Sequence, residues 1–251
     1  MVAAQPSVKT NELAAELGVS VETVRRDLLR LEQLGLIERV HGGATPRQRP
    51  PAMQGAYGRR RSANVAAKRA MARAAVELVR PGDTVVIDAS TSALEVARAL
   101  PGAWTGRVLT NSLPAAAELA DRPGVELLLS GGQVQPGDLA CSGSQVLTFF
   151  ADYYADVAFL GAGGVHPRAG LTSGDPQQVD VQRAMLDHAA RSYVLADTSK
   201  LGVIAVRRVC GLDRVTGLIT EGTPDQELAS ALDTANVQVI GPGVDEAATA
   251  G

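Results

Sequence analysis

"TVRRDLLRLEQLGLIERVHGGA", Thr23–Ala44, puts adjacent arginines on an amphipathic run and follows it with a short strand-like stretch ending in two glycines. Val21, Val24, Leu28 and Leu31 recur at helical spacing and form one apolar stripe. At about 100° per residue, Thr23, Arg26, Arg30 and Gln33 fall on nearly the opposite side. A hydroxyl, two guanidinium groups and an amide are what a recognition helix offers to base edges in a DNA groove. Upstream, Thr10 is expected to cap a shorter helix carrying Leu13, Ala14 and Leu17, with Gly18 ending it and Ser20 capping the second helix. Downstream, "LIERVHGGATP" reads as a two-stranded wing with Ile37 and Val40 inward, Gly42–Gly43 at its tip, and Arg39 and His41 near phosphates. An ordinary helical hairpin with a solvated basic face is the alternative. The order helix, glycine turn, capped helix, strand, Gly-Gly argues against it.

The rest of the chain bounds what such a module is attached to. Its 251 residues leave room for a second, larger domain, and 45% hydrophobic residues suffice for a packed core. The net charge of −3 is unevenly spread. Residues 1–61 hold ten Lys/Arg against six Asp/Glu, and the remainder holds 14 against 21. A basic small end on an acidic large end suggests a nucleic-acid module fused to something else. No apolar run approaches membrane-spanning length and no leader pattern opens the chain, so a cytoplasmic protein is expected. Cys141 and Cys210 lack metal or redox spacing and read as two buried free thiols.

"PRQRPPAMQGAYGRRR", residues 46–61, has three prolines, five arginines and no periodicity, and reads as a linker whose arginines either touch DNA or are simply solvated. From residue 62 helices alternate with β-rich runs. A helix through Lys68, Met71, Ala75 and Leu78 precedes strands near 84–88, 107–111, 125–130, 156–161, 193–197, 215–220 and 236–240. Helices near 92–100, 112–121, 143–151, 177–190 and 225–234 separate most of them. This is an α/β domain with a mostly parallel sheet.

In such sheets ligands sit beyond the carboxyl ends of the strands. The first strand is followed by Asp88, Ser90, Thr91 and Ser92 opening a helix, an anion cradle suited to phosphate. The second is followed by Thr110-Asn111-Ser112, the third by Gly131-Gly132, and the fourth by Gly161-Ala162-Gly163-Gly164, glycines that permit close backbone approach. The fifth is followed by Asp197-Thr198-Ser199-Lys200, whose ammonium is a point charge for phosphate. Each feature alone is an ordinary cap or turn. Five on one edge point to a small phosphorylated ligand.

"VSVETVRRDLLRLEQLGLIERVHGGA" is similar to the DNA-binding signature of the DeoR family of bacterial transcriptional regulators. "GDTVVIDASTS", "LTNS", "SGG", "DVAFLGAGGV", "GLTSGD" and "LADTSK" resemble its sensor half. The resemblance implies a winged helix-turn-helix at residues 1–45, a linker at 46–61, and an α/β sugar-phosphate sensor and oligomerisation domain at 62–251, similar in fold to ribose-5-phosphate isomerase. It implies a repressor of sugar metabolism or transport genes, acting as a homo-oligomer (dimer or tetramer), whose hold on a double-stranded DNA operator is modulated by a phosphorylated sugar. No membrane partner, cofactor, metal or catalytic residue is expected. The implied DNA-binding residues are Ser20, Thr23, Arg25, Arg26, Arg30, Gln33, Arg39 and His41. The implied effector-binding residues are Asp88, Ser90, Thr91, Ser92, Asn111, Gly132, Gly161 and Lys200.

Three features depart from the family pattern. A further helix usually precedes the one at Thr10, and nine residues leave it truncated. Ser90 stands where glycine is common, and Gln178 and Gln182 stand where Glu and Lys are common. The alternative function is a sugar-phosphate isomerase, which needs a carboxylate base near the reacting carbonyl. "LGAGG" puts Leu160, Gly163 and Gly164 where those isomerases carry acids, which argues for a binding protein.

Overall fold

The computed structural model describes residues 8–33, 37–40, 43–46, 56–135 and 137–241; side chains are described for these except at 8, 30–33, 37–40, 44–46 and 56. The chain divides into two compact units, residues 1–54 and 55–251.

The first unit runs β1 (Val8–Lys9), α1 (Thr10–Leu17), α2 (Val21–Gln33), β2 (Ile37–Val40) and β3 (Gly43–Pro46). Gly18 ends α1 at φ 65°, a left-handed position that glycine occupies without strain. Ser20 caps α2, its Oγ accepting from Thr23 N at 3.1 Å. Leu13, Ala14, Val24 and Leu28 are buried together, which is the apolar stripe expected of the two helices. Two details differ. Thr10 is the first buried residue of α1 and Lys9 takes the cap position, while Leu17 is 55% exposed. Leu17 shares the face of Thr10, Leu13 and Ala14 by spacing but is the last residue of α1, where the stripe runs out. The wing is an antiparallel β2–β3 pair in register Ile37 with Pro46 and Val40 with Gly43. β1 adds a third strand on β3, a pairing too short to read from sequence.

The second unit begins with α3 (Ala56–Ser62) and α4 (Val65–Val76), then β4 (Thr84–Ile87), α5 (Thr91–Ala99), β5 (Gly106–Thr110), α6 (Leu113–Leu119) and β6 (Val125–Leu129). A ribbon of β7 (Gln133–Val134) and β8 (Cys141–Ser142) leads to α7 (Ser144–Ala151), β9 (Ala155–Gly161), β10 (Gly164–His166), β11 (Gly170–Ser173) and α8 (Pro176–Asp187). The unit closes with β12 (Ala189–Leu195), β13 (Arg207–Cys210), β14 (Gly217–Ile219), α9 (Gln226–Thr234) and β15 (Gln238–Ile240). Seven strands form one parallel sheet in the order β15-β14-β12-β9-β4-β5-β6. One face, with Val86, Leu109, Ala158, Leu160 and Val194, packs with Val179, Met185 and Leu186 of α8 and Phe150 of α7. The other, with Val85, Ile87, Val108, Phe159 and Leu195, packs with Met71 and Ala75 of α4 and Leu94 of α5.

The linker expected at 46–61 is shorter than that span, because Ala56–Ser62 form α3 in the second unit. Tyr57 is buried, and Lys68, itself 5% exposed, donates from its ammonium to Arg60 O and to Ala63 O at 2.6 Å. A cation from the next helix thus satisfies carbonyls that the end of α3 leaves unpaired. The small antiparallel sheet β10-β11-β13 was also illegible, since three- and four-residue strands carry no usable period. Cys141 is buried, but Cys210 is only half-buried; burial pushes its thiol up to about 11 and Cys141 upward too. Among the described residues no helix is long and apolar enough to cross a membrane.

Candidate functional site

The parallel register fixes which residues meet at the sheet's carboxyl edge. Ile87 pairs with Thr110 and Phe159, so the residues that follow β4, β5 and β9 emerge side by side. Asp88 is fully buried there. Its Oδ2 accepts from Gly161 N and from Gln182 Nε2, both at 2.9 Å, and its Oδ1 from Gln178 Nε2 at 3.4 Å. Burial holds this carboxyl above the usual carboxylate range, opposed by those neutral donors. Ser90 caps α5 by accepting from Ala93 N at 3.0 Å, and Thr91, next in line, is buried with its hydroxyl 3.5 Å from Arg60 O. Ser92 is half-buried beside them. Asn111 is buried and donates from Nδ2 to Cys141 O at 3.1 Å.

Lys200 ends a short turn capped by Asp197, whose Oδ1 accepts from Ser199 N at 3.0 Å. It is half-buried and makes no ion pair among the described residues. Lys68 lies close enough to Asp197 and Lys200 to feel both charges, and burial lowers its pKa. The signal for Lys68 was present, because it shares a helical face with Met71 and Ala75. A lysine on an apolar stripe is either snorkelling or held. Above the edge, the β7–β8 ribbon is tied down by Arg60 to Asp138 at 2.7 Å and by Gln135 to Gln177.

The glycines do something other than expected. A Cβ on Gly161 would overlap the Ser90 side chain, and one on Gly132 would sit 2.7 Å from Ser142 O. Protein fills the space beside both, so their missing side chains admit Ser90 and the ribbon. Gly161 still serves the site through its N–H on Asp88. Leu160 is buried in the core, and Gly163 and Gly164 pack on Ser173, Thr172 and Val203.

In the first unit, Ser20, Thr23, Arg25 and Arg26 share the N-terminal half of α2. Ser20 Oγ and Thr23 Oγ1 are 2.8 Å apart, and Arg25 lies 3.5 Å from Glu22. Arg25 and Arg26 are exposed. The side chains of Arg30, Gln33 and Arg39, and all of His41, lie outside the described residues.

A family model described as the DeoR C terminal sensor domain matches residues 63–222, and one described as a DeoR-like helix-turn-helix domain matches residues 1–49. The HTH-type transcriptional regulator GlpR of Haloferax volcanii is 36% identical over 228 residues, 91% of this chain and 89% of its own. The HTH-type transcriptional repressor GlcR of Bacillus subtilis is 32% identical over 239 residues, 95% of this chain and 92% of its own. These relatives are transcriptional regulators, not enzymes. Ribose 5-phosphate isomerase A of Methanocaldococcus jannaschii superposes over 55% of each chain at 22% identity and a TM-score of 0.41.

Proposed function

We propose, for a chain that belongs to the DeoR family of transcriptional regulators, an operator-binding repressor of sugar-metabolism genes that a phosphorylated sugar modulates. The observation that carries this reading is the carboxyl edge of the sheet. There the N-terminus of α5, with Ser90, Thr91 and Ser92, shares one end of the domain with the Lys200 and Lys68 ammonium groups. Backbone N–H groups and a helix dipole favour a phosphate, and a nearby ammonium adds a point charge. Asp88, Asn111, Gly132 and Gly161 build the floor and sides of that site.

The chain binds double-stranded DNA through Ser20, Thr23, Arg25, Arg26, Arg30, Gln33, Arg39 and His41. It acts in the cytoplasm as a homo-oligomer, a dimer or tetramer, because one recognition helix reads few base pairs and paired half-sites multiply affinity. Ligand binding shifts the arrangement of paired winged domains and changes operator affinity by about 1–3 kcal/mol.

Thermal melting of the full chain with ribose 5-phosphate, glucose 6-phosphate, fructose 1-phosphate and glycerol 3-phosphate tests the sensor. At least one compound should raise the melting temperature by binding linkage. No shift with any of them would overturn the reading, and steady conversion of an aldose phosphate to its ketose would favour an isomerase instead.

A further inference from the structure

We propose that the sensor site takes phosphate monoesters whose other end is an uncharged chain of hydroxyl groups, and discriminates against sugar-acid phosphates and bisphosphates. This rests on the phosphate-site reading above and adds what lies at the far end of the ligand.

The floor beside Asp88 is built from acceptors. Asp88 and Asn111 each follow directly on a paired residue of neighbouring strands, Ile87 and Thr110. They therefore sit next to each other, on the sheet face that carries Val86 and Leu109 and packs against α8. Gln182 reaches them from α8. It is 2% exposed, and its Nε2 spends both hydrogens, one on Asp88 Oδ2 and one on Gly161 O, each at 2.9 Å. Its Oε1 is buried with no partner. Asn111, 1% exposed, gives its Nδ2 to Cys141 O and leaves its Oδ1 buried without a partner. The Asp88 carboxyl, by contrast, is bonded by the backbone of Gly161 and Ala89 and by the amides of Gln182 and Gln178.

Two buried amide oxygens about Asp88 thus ask for hydrogen-bond donors that the described residues do not supply. Buried acceptors without donors are costly, and native proteins leave few of them. Among the described residues no lysine or arginine pairs with Asp88; the groups that bond it are neutral amides. The cations of the site, Lys68 and Lys200, lie instead about Asp197. The two ends therefore differ in kind, one cationic and one made of acceptors.

A sugar hydroxyl donates one hydrogen and accepts others, so a polyhydroxyl tail meets Gln182 Oε1 and Asn111 Oδ1 with donors. It reaches them past the half-buried Gln178, whose amide holds Asp88 by the longest of its hydrogen bonds. A carboxylate or second phosphate brings only acceptors and negative charge. It would leave the two amide oxygens unpaired and set a like charge against a buried carboxyl. A site built to bond hydroxyls rejects analogues that lack them more strongly than an apolar pocket rejects a methylene.

The test is calorimetric titration of the full chain with matched pairs of equal carbon number: glycerol 3-phosphate against 3-phosphoglycerate, erythrose 4-phosphate against 4-phosphoerythronate, and glucose 6-phosphate against 6-phosphogluconate. Fructose 1,6-bisphosphate is compared with fructose 6-phosphate. In each pair that binds, the uncharged member should bind at least about tenfold more tightly. The variant Gln182→Lys, which sets an ammonium beside Asp88, should narrow or reverse that ratio. An acid-tailed member binding the parent chain as tightly as its uncharged mate overturns this inference and leaves the phosphate site standing. No binding by any phosphate ester overturns the phosphate-site reading and this inference together. The parent chain's ratio decides the matter even where Gln182→Lys fails to fold.

Discussion

Asp88 and Gly161 carry consequences at the scale of single residues. Burial raises the Asp88 pKa above its ordinary 3.8. Between that ordinary value and the raised one, the folded chain keeps a proton that the unfolded chain has lost. The folded state then binds more protons, so stability falls as pH rises through this window. Below the ordinary value both states are protonated, so the group's contribution is fully present and no longer changes with pH. Asp88→Asn cannot titrate, so the melting temperature of the parent minus that of the variant should shrink as pH is raised through the window. A constant or growing difference would contradict the assignment. Gly161→Ala should cost about 1–3 kcal/mol by overpacking, because its Cβ runs into Ser90. In a Ser90→Gly background the same change should cost much less, measured by urea unfolding of the double-mutant cycle. Additive costs would show that the two do not compete for space. The pair also accounts for the serine at position 90. The space that its side chain takes is the space that Gly161 leaves.

At the scale of elements, what could be read from the sequence depended on length. The apolar stripe of α2, the Gly18 stop and the Ser20 cap are local patterns, and all three stand in the structure. The seven strands of the parallel sheet and the helices α4 to α9 repeat at readable spacing, and these were anticipated to within a few residues. α3 was not, because seven residues holding three consecutive arginines show no apolar period. Its order comes from outside itself, through buried Tyr57 and the Lys68 ammonium on its carbonyls. Lys68→Met should therefore leave Arg60 O and Ala63 O short of a donor and destabilise the chain by about 1–3 kcal/mol. Amide hydrogen exchange should show residues 56–62 losing protection first; unchanged protection there would assign the order of α3 to Tyr57 alone. On α2, Arg26 is exposed and its guanidinium faces away from the buried stripe. Arg26→Ala should weaken binding to a preferred DNA site by about 1–3 kcal/mol and relax preference at one base pair. Undiminished affinity and preference would mean that another face of the helix reads the groove.

At the scale of the whole molecule, the uneven charge does not follow the unit boundary: residues 1–54 hold seven Lys/Arg against six Asp/Glu and residues 55–251 hold 17 against 21, because Arg59, Arg60 and Arg61 belong to α3 of the second unit. The edge that positions the site was legible, because polar and glycine-rich strand ends follow from the alternation of strands and helices. The commitments of individual side chains were not. Gln182 and Asp88 are 94 residues apart and meet only because β4 and β9 are neighbours beneath α8. Orphaned oxygens on Gln182 and Asn111 emerge only when every partner has been placed.

The central claim is that a phosphorylated sugar at the sheet edge controls DNA binding by the winged unit. It is tested most directly by selecting genomic fragments that the full chain retains, then measuring its affinity for the tightest of them with and without the phosphosugar that raises its melting temperature. The account predicts a change of about 5–150-fold in that affinity, with Lys200→Ala losing most of the response while keeping the ligand-free affinity. An affinity that stays the same while the ligand is demonstrably bound would contradict it.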